Sequence, residues 1–403
     1  MKLIKSIKSS LKRRIKQVVC GASKAEDQRI FADYHALGSY EEPRARETAF
    51  ITTDGREIPV YSDYRYRIKP GWKYFREMAL LDQLCARGFG SEQDRQFLNA
   101  VAGSRTLTAE LSTVRSRLNH LLIKYPELFI KQEIDNIQVP VLKPSAAEIE
   151  SRVSSLAQYH RNILADLQAR GIYSHSPGDR MLEIGFISGG YSIFAFERLG
   201  FKAFGVDNYY GGLTSQPPLP GYASEILGSR AGFHNGDITR RTPFEDNSFN
   251  LIFSASVLEH VQNLPAAFAE LRRLLAPGGV MVHSYHPFYC ENGGHALGIL
   301  DSPWAHVRLN RDDYLRYVGQ FRPYECPEAE HWIRDALNPT PMNMMQKCLT
   351  DAGLDIRHWK AGMSKPGLLG LEQDIIKEAM EQHEGITLHD LTCNNVFFAA
   401  TSI

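Results

Sequence analysis

The sequence predicts an α/β fold, a doubly wound and mostly parallel sheet preceded by an N-terminal helical region. Three observations carry this. From about residue 146 onward short apolar runs alternate with stretches of helical spacing, the pattern of a parallel sheet with crossovers on both faces. The run Met181, Leu182, Ile184 passes straight into a glycine turn, Gly185 to Gly190, and then into a helical stretch from Tyr191 to Leu199. Successive apolar runs also end on polar residues, Asp207, Asp237 and Ser254, where strands of such a sheet meet the ligand crevice.

The first element, residues 1–40, is a basic amphipathic tail. Lys2, Lys5, Lys8, Lys12, Arg13, Arg14 and Lys16 meet no acidic residue before Glu26, while Ile4, Ile7, Leu11, Ile15 and Val18 recur at helical spacing. The formal net charge of the chain is +0, so the remainder carries an acidic excess. Such a segment is either a solvated tail or a helix lying on an anionic membrane surface through residues 1–20; a transit peptide is a third reading. Residues 41–145 read as mainly helical. Asp54-Gly55 followed by Ile58-Pro-Val-Tyr61 predicts a small hairpin, and apolar stripes through Phe75, Met78, Leu81 and Leu84 and through Leu111, Val114, Leu118 and Leu121 predict helices. Pro140 and Pro144 interrupt the pattern, and Ser145-Ala-Ala-Glu148 reads as a capping box opening a helix to about Gly171.

Beyond the glycine turn, Phe201 to Val206, Ala231 to Gly236, Phe249 to Ser254 and Val280 to Tyr285 read as the next four strands. Residues 290–340 lack clean periodicity and read as an insertion over the strand ends. Met342 to Ala352 and Leu371 to Gln382 follow as helices, Asp355 to Lys360 and Asn395 to Ala400 as the last strands. The six cysteines are scattered with no C-x-x-C spacing, which predicts a reducing, cytoplasmic setting without disulfides. No apolar run reaches the ~20 residues of a membrane-spanning helix, leaving the inner face of a membrane, reached through the tail, as the expected point of any lipid contact.

A strand, a glycine turn and a helix in succession form a seat for a nucleotide-like cofactor. Glu183 precedes the turn, and the spacing E-x-G-x-x-x-G-G differs from the G-x-G-x-x-G of dinucleotide folds, favouring S-adenosylmethionine over a nicotinamide cofactor. Asp207 is placed to accept two hydrogen bonds from ribose hydroxyls, or else to cap a turn before Asn208. Asp237 is placed to accept from an adenine amino group while Ile238 packs on the ring.

In Leu182-Glu-Ile-Gly185, Val206-Asp207, Gly236-Asp237, Phe249 to Val261 and Leu271-Arg-Arg-Leu-Leu-Ala-Pro-Gly-Gly279, the chain resembles the class I S-adenosylmethionine-dependent methyltransferases of the type 11 family, over about residues 175–290. The resemblance implies a Rossmann-like, seven-stranded sheet with an antiparallel last strand, spanning residues 146–403. It further implies that Glu183, Gly185, Ser188, Gly189 and Gly190 line the methionine moiety, Asp207 the ribose, and Asp237 with Ile238 the adenine, with Ser254 and Ala255 beneath the sulfonium. One departure stands out: Ile187 occupies the position of a glycine in the family's G-x-G-x-G. A β-branched residue resists positive φ, so either the loop is reshaped around the doubled Gly189-Gly190 or cofactor binding is weakened. The extreme form of the second outcome is a non-catalytic binding or scaffold domain.

For a hydroxyl acceptor the remaining need is a base near the ends of the fourth and fifth strands. His286 is the expected base and Tyr285 a positioning hydroxyl; His283 reads as a satisfied strand histidine. His283, His286, His295 and His306 have no acidic ligand at a recognisable spacing, so no metal site is expected. The insertion offers Trp304, His306, Arg308, Arg311, Tyr314 and Arg316, residue types that suit a saccharide or another small oxygen-rich acceptor and that look similar to segments of bacterial surface-glycan methyltransferases. A packed lid explains the same residues. The acidic balance outside the tail speaks against nucleic acid as partner.

Overall fold

The computed structural model describes residues 46–61, 76–101, 108–134, 137–186, 189–208, 218–298, 300–323, 326–363 and 365–403. The basic stretch of residues 1–20, and with it the expected membrane contact, lies outside these described residues, as do Ile187 and Ser188.

The main sheet has seven strands: β5 (Arg180–Ile184), β6 (Lys202–Asp207), β7 (Gly232–Asn235), β8 (Phe249–Ala255), β9 (Leu275–Tyr285), β10 (Leu354–Met363) and β11 (Cys393–Ser402). Their order is β10-β11-β9-β8-β5-β6-β7, with β11 antiparallel to both its neighbours and the inner pairs parallel. This is the Rossmann-like, mostly parallel arrangement expected from sequence. After β5 the chain moves outward to β6 and β7 and then returns to the other side of β5 at β8, so the topological switch lies between β5 and β8 and opens a crevice at their C-terminal ends.

Successive residues along the strands feed two cores, because side chains alternate between faces. Leu182, Ile184, Ile252, Met281 and Phe398 pack with Phe268, Leu271, Met345 and Leu349 from the helices Leu264–Leu274 and Met342–Asp351. On the other face Met181, Leu251, Phe253, Val280 and Val282 pack with Ile149, Val153, Ile193 and Phe196 from Ala146–Ala169 and Tyr191–Arg198. The helix Ala146–Ala169 starts as the sequence predicts, with Ser145 and Glu148 completing a reciprocal capping box.

Ahead of the sheet, the helices Arg76–Ala86, Glu92–Val101 and Thr108–Lys124 enclose Leu81, Leu84, Leu98, Val114 and Leu118. Two hairpins flank them. β1 (Arg46–Ile51) and β2 (Glu57–Tyr61) form the first, around Asp54-Gly55 as expected. The second, β3 (Phe129–Ile134) with β4 (Ile137–Leu142), replaces the interruption expected at Pro140. Among the described residues, the β1–β2 hairpin shares no apolar cluster with the helices that follow it. Phe50, Ile58 and Val60 enter a cluster with Leu300, Ala305, Tyr314, Tyr317 and Val318, so this hairpin completes the core of the 290–340 insertion.

Among the described residues no helix is long and apolar enough to cross a membrane, and Cys85, Cys290, Cys348 and Cys393 are free thiols.

Candidate functional site

The C-terminal ends of β5, β6 and β7 carry the residues expected to seat a cofactor. Glu183 is buried in β5, with the Ser192 hydroxyl and the Ile193 amide of the helix Tyr191–Arg198 beside its carboxyl. Burial, reinforced by the charge of Asp207, pushes its carboxyl up to about 8, and Oε2 finds no partner among the described residues. Behind Ser192 lies His160, whose Nε2 is 2.6 Å from the Ser192 hydroxyl and whose ring stacks on Phe196. Nδ1 of His160 has no partner among the described residues. Burial drops this imidazole to about 4 and keeps it neutral. His160 and Ser192 escape notice in the sequence; only the position of His160 on the apolar stripe Ile149, Val153, Ala157 marks it as inward-facing.

The turn after β5 is built on left-handed glycines. Gly185 has φ +73°, and a Cβ there would lie 2.5 Å from Cγ2 of Val257, so both conformation and space demand glycine. Gly189 lies at φ +105°, and Gly190, at φ +71°, caps the helix that follows. Both glycine amides donate back to the Phe186 carbonyl, at 3.1 and 3.2 Å.

Asp207 ends β6 and is 6% exposed. Asp237 follows β7 with its Oδ1 accepting from the Thr239 amide at 2.8 Å and hydroxyl at 2.7 Å, and with Arg240 3.6 Å from Oδ2. One oxygen therefore shapes the turn, the other stays at its outer edge, and Ile238 is buried beside it. At the end of β8, Ala255 is exposed, whereas Ser254 is fully buried and bonds Nδ1 of His283 at 2.7 Å. Ser254 is thus a core residue, and only Ala255 opens to the crevice.

The end of β9 separates the two expected catalytic residues. Tyr285 is 2% exposed among Val396, Phe398 and Trp359, and its hydroxyl has no partner among the described residues. Its place is the core, because residues 281, 283 and 285 share the face covered by helices; the positioning role expected of it is not supported. His286 begins the loop beyond the strand and is half-buried. Its Nδ1 is 2.8 Å from the carbonyl of Asn394, which can only accept, so Nδ1 carries the proton and Nε2 the lone pair. Its backbone amide donates to Oε1 of Glu259 at 3.3 Å.

Most of the aromatic and basic residues of the insertion are spent on its own packing. Trp304 is fully buried and donates to the Leu391 carbonyl at 3.0 Å, His306 bonds the Phe288 carbonyl, and Tyr314 is buried. Arg308 pairs with Glu378 at 2.6 Å, Arg311 with Glu330 and Arg316 with Asp313. This is a packed cap over the strand ends, held against Ile375, Ala379 and Leu391 from the β10–β11 connection; Trp304, His306, Arg308 and Tyr314 serve its packing, while Arg311 and Arg316 stay about half exposed. A cavity of about 300 Å³ lined by Tyr173, Asp179, Asn250 and Gly278 lies at the opposite ends of β5 and β8, away from these groups.

Residues 182–283 match the family model described as a methyltransferase domain. An uncharacterized methyltransferase of Mycobacterium avium is 28% identical over 134 residues, covering 33% of this chain and 50% of the relative. The malonyl-[acyl-carrier protein] O-methyltransferase of Serratia marcescens is 32% identical over 155 residues, covering 38% and 52%. The chain spans about half the length of the curated relatives it matches. Among solved structures, the geranyl diphosphate C-methyltransferase of Streptomyces coelicolor A3(2) is 17% identical, covering 64% of this chain and 82% of its own, at a TM-score of 0.39. The glycine turn, the strand-end carboxylates and most of the sheet's central strands fall within the matched residues, so residues 182–283 are those of a methyltransferase domain.

Proposed function

We propose that the protein transfers a methyl group from S-adenosylmethionine to an oxygen of a small hydroxylated acceptor. The observation that supports this best is the convergence of Glu183, Asp207 and Asp237 on one edge of the sheet, beside a turn that only glycines can form. Glu183 is a fit for the cofactor's polar end, since it is buried with an oxygen still to be satisfied. Asp207 is the carboxylate for ribose hydroxyls, and Asp237 with Ile238 borders the adenine. When bound, the cofactor supplies an electrophilic methyl group on a sulfonium.

The chain's own contribution is then to place the acceptor and take its proton. His286 holds its lone pair on Nε2, with Nδ1–H fixed by Asn394, so it can accept a hydroxyl proton without first rearranging its tautomer. The cap's rings Trp304, Tyr314 and Tyr317 are buried and supply no stacking surface for a sugar, and the acceptor class stays at small hydroxylated molecules.

Calorimetric titration with S-adenosylmethionine tests the reading. The wild type should bind, and Asp207→Ala should weaken binding about 10- to 100-fold, the loss of charge-assisted hydrogen bonds worth about 1.5–3 kcal/mol. Unchanged affinity in that variant, or no binding by the wild type, overturns the cofactor assignment. His286→Ala should bind the cofactor normally while S-adenosylhomocysteine formation with hydroxylated acceptors falls.

A further inference from the structure

We propose that Glu259, His260 and His295 hold a divalent transition-metal cation at the C-terminal ends of β8 and β9, whose open coordination positions take an oxygen of the acceptor. The cation site stands on its own geometry; only its use for an acceptor rests on the methyl-transfer reading.

Each of the three residues offers one ligand atom, and the three atoms lie within 4.8 Å of one another. Glu259 and His260 are neighbours on the 3₁₀ turn Leu258–His260 that follows β8, and His295 opens the short helix His295–Gly298 of the cap. Two imidazoles and one carboxylate make a donor set of borderline softness. It suits Zn²⁺, Mn²⁺ or Fe²⁺ and leaves coordination positions open, unlike the all-oxygen cages that hold Ca²⁺.

Each ligand on the turn is already set for this use. His260 donates Nδ1–H to the Ala336 carbonyl at 2.5 Å, which fixes the tautomer and leaves the Nε2 lone pair for a metal, as the outer-shell partner of a metal-bound histidine does. Glu259 is 3% exposed; Oε1 accepts from the His286 amide, while Oε2 is buried without a partner among the described residues. A buried carboxylate with an unmet oxygen is costly, and a cation at Oε2 removes that cost.

The surroundings hold the turn in place. The Asn338 amide donates to the Glu259 carbonyl at 2.8 Å, its side chain donates to the carbonyls of Leu258 and Val261, and Gln262 reaches the carbonyls of Asp335 and Leu337. His295 itself sits at φ +43°, a left-handed backbone uncommon outside glycine. Its ring centroid lies 5.7 Å from that of His260 and 5.4 Å from that of His286, so the cluster lies beside the expected base.

The experiment uses untagged full-length protein stripped with chelator, titrated calorimetrically with Zn²⁺ and Mn²⁺ and assayed for metal content after desalting. One equivalent per chain should bind. His260→Ala and His295→Ala should each weaken binding by about 100-fold or more, beyond the ~10–100-fold that loss of an outer-shell partner costs. His295 is half-buried at the first position of a four-residue helix, so its variant should keep the wild-type circular dichroism and thermal midpoint even where Glu259→Gln does not. No uptake by stripped wild type, or wild-type affinity in His295→Ala, overturns the site. S-adenosylmethionine is titrated separately into stripped protein. Cofactor binding without metal uptake defeats the cation site and spares the methyl-transfer reading; metal uptake without cofactor binding does the reverse. Methyl transfer that proceeds at the same rate with and without the bound cation overturns its role in holding the acceptor.

Discussion

His283 sits in an environment far from what its chemistry prefers. Its ring is fully buried in β9, pushed down to about 3 by burial, with Nδ1 on the Ser254 hydroxyl and Nε2 without a partner among the described residues. Ser254→Ala would strip the other nitrogen as well, and should lower stability by about 1–3 kcal/mol, read as an earlier urea midpoint at unchanged slope. A midpoint within error of wild type would mean that the hydroxyl contributes nothing. Strand position alone let the sequence place Asp207 and His286 at the crevice, since each terminates a clear apolar run. Tyr285 lies one residue earlier than His286, and that single step turns its side chain from the open end into the core.

At the scale of elements, the helix Ala146–Ala169 joins the front of the chain to the sheet. Ser145 caps it, and Glu148, the reciprocal partner, is also gripped by Arg87, which donates to the Lys143 carbonyl at 2.7 Å as well. Ser145→Ala should cost about 1 kcal/mol in urea unfolding. Arg87→Ala should cost less, since its pairing with Glu148 is partly exposed. The central strands were legible because each is a short apolar run bounded by turn residues. The β3–β4 hairpin was not, although Ile137, Val139 and Val141 alternate, because Pro140 argued against a strand. In a two-stranded ribbon both strands are edges, so a proline without an N–H is tolerated there. The Glu259–His260 pair was equally visible, but its third member comes from an insertion without periodicity, and nothing in the sequence brings His295 back to the end of β8.

For the whole molecule, buried ionisable groups set the response to pH. His160 and His306 are held near about 4 and His283 near about 3, all by burial, below the ordinary 6.5. The unfolded chain takes up these protons and the native one does not, so stability is lost as pH falls below 6.5, on the order of 3 kcal/mol for each histidine. Glu183 acts with the opposite sign. Its raised value, about 8, means that the native state keeps a proton the unfolded state releases, so stability falls as pH rises from 4.5 through 8. Urea midpoints should therefore decline between pH 6.5 and 8 and drop steeply below about 4.5, where the carboxyl contribution levels off. Glu183→Gln should flatten the alkaline limb; an unaltered limb would show that Glu183 is ionised in the native state.

The cap behaves as part of the same molecule through the first hairpin. Thr53 donates from its amide and its hydroxyl to Asp313 at 2.9 and 3.0 Å, and the Tyr61 amide donates to the Asp301 carbonyl at 2.8 Å. Phe50, 1% exposed, packs edge-on to Tyr317. Phe50→Ala should weaken the cap by about 3–5 kcal/mol, seen as faster amide exchange in residues 300–321 while the central strands keep their protection. Uniform exchange across the molecule would indicate instead that the cap and sheet unfold as one unit.

That hairpin also orders events during synthesis. Thr53 meets a partner 260 residues further along the chain, so at a ribosomal pace of about 5–20 residues per second it waits roughly 10–50 s before Asp313 emerges. Through that interval the apolar face of Phe50, Ile58 and Val60 has none of its native cover, and the nascent chain is most exposed to chaperones and to proteolysis at its leading end.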